Sequence, residues 1–530
     1  MATRQVPVLL RGWEGGYNDS KNLLSLRPNE LADIYNFYVA RDGHAKRRAG
    51  QAAVYASSFQ SSNVAHGLQQ VRLGGVQYLI TTAGAVIYYD NGTVITGTAA
   101  LTAGADKPVS MAVFQGLLIG CQSDNTTNNR FLGINAPFAW NGTGTAAALT
   151  TTPPTRGVAV ATFKNRVFFW NVTFGGTVYP ESVVWSLFNT ATTWPTNQIF
   201  GIYEGTGGYG TALKRFFRAT DGSDGEVLLA FKDTGLFYIY QNPNGFGASA
   251  FGVGVISGSI GCPAPQGVVE AGGIVVWPSY GGFYKMDASM VLDPRRNYIG
   301  GPIEQLWSRV PKNRIPFIKG AYLEDLQQIW FSVSVAATVG GAQTTNNTVL
   351  VWDAYFQRWV GVYQGINANV MAQVIDSNLN RWIYAGDYAN YLIYKQNTGT
   401  DDAGTGFESW IKTGYWDLGS PNQMKDFRQN VLELGTDTAK VGTFYTTLYN
   451  LTSTRSASVS VGTTGVPLDQ FTLDVDMLAG SDYGQWLGRI GGQARYAQAQ
   501  LKLPRGSTAF DLYGLGYYVV PRRSLPGSSR

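Results

Sequence analysis

Along most of the chain, apolar and polar residues alternate over roughly four to eight positions and then give way to Gly, Asn or Asp. That is the pattern of half-buried strands joined by tight turns. A loose repeat runs through residues 66–400. Its clearest element is an apolar, aromatic strand followed by a turn: Val86–Tyr89, Phe138–Trp140, Val183–Trp185, Leu236–Tyr240, Phe283–Met286, Val349–Trp352 and Tyr391–Tyr394. Another strand precedes each copy: Tyr78–Ile80, Leu117–Ile119, Val167–Trp170, Val227–Ala230, Ile274–Trp277, Ile329–Phe331 and Arg381–Tyr384. The seven copies are spaced by about 40–65 residues. Short strands at such a period are what a β-propeller requires, because a four-stranded blade cannot cover its own apolar faces and must stack in a ring. The alternative is a set of sandwiches with unrelated strands.

The repeat ends near Gly399–Gly404, a linker by composition. Beyond it, Trp410–Trp416, Asn430–Leu434, Thr443–Leu448, Phe471–Val475, Ala497–Leu503 and Phe510–Val520 read as strands. The expected fold class is therefore all-β: a propeller of six to eight blades at residues 61–400 and a separate β-sandwich-like domain at 405–530, with part of the latter closing or flanking the propeller as the alternative. Residues 1–60 form an N-terminal segment joining the propeller. Helix signals are few. Arg27–Ile34, with Pro28 ahead of acidic residues, predicts a short helix, and Pro302–Trp307 predicts a second.

Composition fits this reading. In 530 residues there are 65 Gly, 13% aromatics and only 14% charged residues, against roughly 25% charged in average globular proteins. So low a charge suits a surface partly covered by neighbours, and the aromatic content argues against disorder. The net charge of +5 is too mild for the footprint of a nucleic-acid reader. Met1–Leu10 is followed at once by Arg11, Glu14 and Asp19, which is not a secretory signal, and no apolar run is long enough to span a membrane.

Material for catalysis is scarce. The histidines are His44 and His66; the cysteines are Cys121 and Cys262, in no metal or redox spacing and expected as buried free thiols. Gly205–Gly210 resembles a phosphate loop, but no helix follows for a phosphate to cap, so a turn is expected. Asn313–Pro316 contains the Arg-Ile-Pro tripeptide of sialidases without that family's repeated Asp-box turns. Paired carboxylates would suffice for a glycosidase, but no pair is singled out. The expectation is no enzyme, no catalytic or metal residues and no cofactor. Arg41, Lys46, Arg47 and Arg48 form one basic group, and Arg489, Arg495, Lys502, Arg505, Arg522, Arg523 and Arg530 a diffuse second, both read as solvated faces or protein contacts.

The N-terminal segment carries the most specific pattern. Gly15, Gly16 and Asn18 lead to Pro28 and Glu30, then to Asn36, Gly43, Arg47, Arg48 and Gly50. This resembles the opening of tailed-phage virion proteins, in which a Gly-Gly-Asn stretch, Pro-x-Glu, an Asn and a basic Arg-x-Gly lead into the first strand; Ala49 stands where that family often has Pro. The later order of segments, from Leu236–Val255 through Ile260–Cys262, Ile274–Trp277, Gly282–Tyr284, Ile303–Glu304 and Asn347–Trp359 to Gly488–Tyr518, is similar to the propeller nozzle and hub proteins of short-tailed phages. The resemblance implies a virion tail protein in a homohexameric ring below the portal and head–tail adaptor. It also implies partners: tail fibres or spikes outside, and genome DNA passing non-specifically at the centre. Other tail or connector components, and a carbohydrate-active or receptor-binding propeller, remain as alternatives. Gly12–Gly50 is expected to be a structural clamp rather than a ligand site, anchored by Trp13, Tyr35 and Phe37.

Overall fold

Each of the seven hairpins read from the sequence becomes the second and third strands of one antiparallel blade in the computed structural model. The structure describes residues 6–522 apart from 56–62, 91, 98–100, 128–129, 150–153, 206, 220–224, 436–439, 450–453, 464, 467–476, 479–482 and 507–508. The expected strand at Phe471–Val475 lies outside the described residues. The hairpin strands read as continuous apolar runs because neighbouring blades cover both faces of a blade. In the sixth blade every residue of Gln328–Val333 and Thr348–Asp353 is buried.

The inner strands of the seven blades begin in turn at Ala65, Val109, Arg156, Gly210, Val269, Lys319 and Ala368. Aromatic side chains fill the gaps between blades. The Trp170 indole of the third blade donates to the Phe231 carbonyl of the fourth (2.9 Å), and Phe231 meets Trp277 of the fifth edge-on at 5.5 Å. Phe283 of the fifth packs on Phe331 of the sixth at 4.7 Å. The ring closes where Gln70 of the first blade exchanges two hydrogen bonds with the Ile375 backbone of the seventh (2.8 and 2.9 Å).

The structure is thus a seven-bladed propeller, within the expected range. The seventh blade takes its outer strand, Gln51–Ala53, from the N-terminal segment, paired with Ile393–Gln396. The first and last parts of the ring are thereby fastened by three short rungs, with Gln396 donating to Gln51 (2.8 Å) in a buried amide pair.

Two expectations are corrected. Arg27–Ile34 holds no helix: Arg27–Glu30 is a turn, closed by the Glu30 N–H on the Arg27 carbonyl (3.0 Å), and Glu30–Tyr35 is a strand. Leu31 and Ile34 suit a helix face by spacing, but pairing with Phe407–Thr413 decides the conformation. The C-terminal part is a sandwich, as expected, but not a separate unit. One of its sheets runs Gly16–Tyr17, Glu30–Tyr35, Phe407–Thr413, Tyr496–Gly506, Lys440–Tyr449, Thr454–Thr463. The other joins Val6–Arg11, Asp511–Pro521, Lys425–Gly435 and Tyr483–Ala494. It continues through Ala45–Arg47 and Phe37–Val39 into Arg358–Gln364, the outer strand of the sixth blade. The N-terminal segment therefore contributes strands to both sandwich sheets and to the propeller, and one ten-stranded sheet crosses from one to the other.

Candidate functional site

Four of the ten residues singled out in the N-terminal segment, Asn36, Arg47, Arg48 and Gly50, converge on a buried junction between the sixth blade, the sandwich and the 399–404 linker. Asn36 sits at its centre with φ of 53°. Its side-chain nitrogen donates to the Glu408 carbonyl (2.8 Å), while its oxygen accepts from Arg48 Nε and from the Gln364 N–H (2.9 Å each). Asparagine is among the few residues that tolerate this left-handed backbone at modest cost. Arg48 forks onto both oxygens of Asp402 (2.8 and 2.5 Å), also donates to the Gln364 and Ala49 carbonyls, and lies 3.8 Å over the Phe407 ring. Beside it, Arg47 donates to the Phe407 and Gly506 carbonyls and to Ser409 Oγ. Burial, with Arg48 adjacent, pushes its pKa down to about 10. Gly50 is required by space, since a Cβ there would lie 1.8 Å from the Asp401 carbonyl oxygen.

The remaining signature residues form a second knot. Glu30 is buried, which alone would raise its pKa. Hydrogen bonds from Lys21, the Arg27 N–H and Asn18 outweigh that and hold the carboxyl below its ordinary value. The Gly15 N–H donates to the Asn29 carbonyl (2.9 Å). Gly16, at φ of 74°, lies so close to the sixth blade that a Cβ would meet the Trp359 carbonyl at 2.4 Å. Pro28 is exposed in the turn, and Gly43 packs by Glu14 near the Trp13 backbone. Trp13 and Phe37 are fully buried, and Tyr35 stacks on Trp410 at 3.6 Å. Asp19, which the sequence did not single out, accepts from the Gln305 and Leu306 N–H groups and so caps the short helix Glu304–Ser308 (3.0 and 2.8 Å). Most of these side chains are engaged in contacts that join the segment to the strands around it.

The propeller axis carries a channel, closed at the face where the inner strands begin. There Pro265 and Gln266 lie across it: the Gln266 amide donates to the Val109 carbonyl of the second blade, and its own carbonyl accepts from the Gly320 N–H of the sixth (2.9 Å each). Behind this plug a cavity of about 200 Å³ leads to two open cavities of about 510 and 590 Å³.

Near the closed end His66 is fully buried. Its Nε2 faces the Gly84 carbonyl (2.8 Å), so it carries the proton, and Nδ1 faces Thr82 Oγ1 (3.1 Å). Burial lowers its pKa to about 4, with Lys319 and Lys107 adding to the effect against the Gly84 bond. Lys319, also buried, is pushed down to about 7. The folded state therefore favours neutral His66. That contribution is complete above about pH 6.5 and is lost as pH falls toward 4, worth on the order of 3 kcal/mol. The cost of burying the Lys319 charge is already in place below about pH 7 and is relieved only as pH rises above that value, so it changes little in this window. Urea unfolding of the wild type and His66→Gln at pH 7 and pH 4.5 is expected to show a markedly weaker acid destabilisation in the variant. Parallel slopes would refute the assignment.

Cys121 and Cys262 are buried free thiols in different blades, and burial raises both pKa values. Among the described residues no three His, Cys, Asp or Glu side chains group as a metal site, and no helix is long and apolar enough to cross a membrane. Of the glycine-rich stretch, Thr206 lies outside the described residues, Gly207–Tyr209 is loop and Gly210 opens the inner strand of the fourth blade, and Arg314–Pro316 lies in a short 3-10 helix with Arg314 paired to Asp106 (3.1 Å). Of the diffuse basic group, Arg522 pairs with Asp426 and Lys502 with Glu408, while Arg523 and Arg530 lie outside the described residues.

No family model matches the chain, and no curated protein matches it. Solved structures similar to it include an exo-β-1,3-galactanase from Phanerochaete chrysosporium with galactose, 11% identical with a TM-score of 0.28 over 85% of this chain and 100% of that one. BBS1N in complex with ARL6DN is 8% identical, with a TM-score of 0.39 over 67% of this chain and 99% of that one. The Neurospora crassa Pan2 WD40 domain is 9% identical, with a TM-score of 0.36 over 67% and 98%. The expectation that the chain is no enzyme is withdrawn, because glycoside hydrolases stand among these structures at 11–12% identity. That likeness concerns the fold and assigns no reaction.

Proposed function

We propose that this chain is a structural subunit of a short-tailed phage tail, in the nozzle or hub class. In this reading it forms a ring below the portal and adaptor, and the ring carries tail fibres or spikes outside. The observation that carries the reading is the junction. The residues that resemble the opening of tailed-phage virion proteins are the ones that weld propeller to sandwich through Asn36, Arg48 and Asp402. A subunit that must transmit load through a ring needs its two parts to move as one, and a continuous sheet supplies that. Large apolar side chains left in water are also consistent with contacts to neighbours. Phe246 is 87% exposed, Val339 69%, Tyr355 67% and Phe217 65%. In this reading DNA passes along the axis of the ring and not through the propeller, which Pro265 and Gln266 cross.

Light scattering and negative-stain imaging of the purified chain, alone and mixed with portal–adaptor complexes, test this. Closed rings, six-fold in the simplest case, are expected at least on the portal–adaptor template. A chain that stays monomeric in both settings sinks the reading.

A further inference from the structure

The open part of the propeller channel holds polar groups that the fold does not use. Lys214 of the fourth blade lines all three cavities and reaches no hydrogen-bond or ion-pair partner among the described residues. Gln69 of the first blade, Tyr322 of the sixth and Gln373 of the seventh likewise line the cavities with no side-chain hydrogen bond among the described residues. Among the described residues, Glu270 of the fifth blade accepts only from the Gly273 N–H (3.1 Å). All five are half-buried. Burial pulls the Lys214 pKa down and the nearby Glu270 charge pulls it back, so the two feel each other without touching.

Lys214, Glu270, Tyr322 and Gln373, from four different blades, line the cavity of about 510 Å³, and Gln69 lines the adjoining cavity of about 590 Å³; both have the size of a ligand site, for which about 300–1,000 Å³ is usual. Their chemistry narrows the ligand. An ammonium takes a carboxylate as a point charge. Amides and a phenol both donate and accept, which suits hydroxyl groups, and Glu270 can only accept while ionised. A phosphate dianion fits poorly, because Glu270 would repel it and no guanidinium fork stands free among these groups. Met111 and Leu213 add apolar surface in the adjoining cavity.

We propose that the channel binds a small acidic saccharide of the uronic acid class in the cavity of about 510 Å³, with its carboxylate on Lys214 and its hydroxyls on Glu270, Tyr322 and Gln373. This does not rest on the ring assembly. Calorimetric titration of the full chain at pH 7 with galacturonic acid, galactose and inorganic phosphate tests it. Saturable binding of galacturonic acid is expected, at least tenfold tighter than galactose or phosphate. Lys214→Met should weaken it tenfold or more without changing Tm, while Arg296→Ala, on an exposed loop, should leave it alone. Should Lys214→Met fail to fold, Gln373→Ala is expected to weaken binding at least threefold. Equal binding of galactose removes the role of Lys214, and equal binding of phosphate removes the saccharide class. No saturable binding, or binding untouched by the channel substitutions, overturns the site.

Discussion

A chain beginning at residue 54 is expected not to reach a cooperative native fold. The lost segment supplies the outer strand of the seventh blade and two strands of one sandwich sheet. It also supplies the two strands that carry the other sheet into the sixth blade. Trp13, Leu31, Ile34 and Phe37 are each at most 1% exposed. Emptying the site of one such side chain costs about 2–5 kcal/mol, so the four together, about 8–20 kcal/mol, are as large as the roughly 5–15 kcal/mol that holds an ordinary domain folded. Asp19 would also leave the Glu304–Ser308 helix uncapped. Removing only residues 1–11 takes away an edge strand beside Asp511–Pro521 and is expected to leave a folded, less stable protein. Far-UV circular dichroism with urea unfolding distinguishes the two truncations. A cooperative transition in the longer truncation would show that the clamp is dispensable.

The propeller was legible because its middle strands carry the signal. Val167–Trp170 and Ile329–Phe331 are apolar throughout, since blades cover them on both sides. The closing strand was not legible. Gln51–Ala53 is short, and its partner Ile393–Gln396 lies more than 300 residues on; nothing local specifies so distant a pairing. The same distance hid the union of sandwich and propeller, because alternation within Phe37–Val39 or Asp511–Pro521 says nothing about which sheet each joins. At the junction the sequence singled out Asn36, Arg47 and Arg48 but read Asp402 as linker, since an acid among glycines looks like a solvated turn. Lys214 was missed for a similar reason. On an alternating strand a lysine reads as the water-facing side, and only the closure of seven inner strands turns that side into a channel.

Arg48→Met is expected to cost about 3–5 kcal/mol, the range for breaking a buried ion pair by removing one partner. The Arg48 side chain is 1% exposed and that of Asp402 12%. Methionine fills much of the space but supplies no donor. Asp402 would keep a charge with little water to solvate it, and the Gln364 carbonyl and Asn36 Oδ1 would each lose a donor. The cost should therefore lie mainly in what is left behind. Two further variants test that account. Arg48→Lys should recover only part of the loss, because an ammonium cannot fork onto both Asp402 oxygens while also reaching Asn36. The double variant Arg48→Met with Asp402→Asn should be more stable than Arg48→Met alone, since the orphaned charge is gone. Urea unfolding of the wild type, Arg48→Met, Asp402→Asn and the double variant gives the coupling directly. If Arg48→Met unfolds within about 1 kcal/mol of the wild type, well inside the range for an exposed pair, the junction does not hold the two parts together. The reading of the N-terminal segment as a clamp would then fall with it.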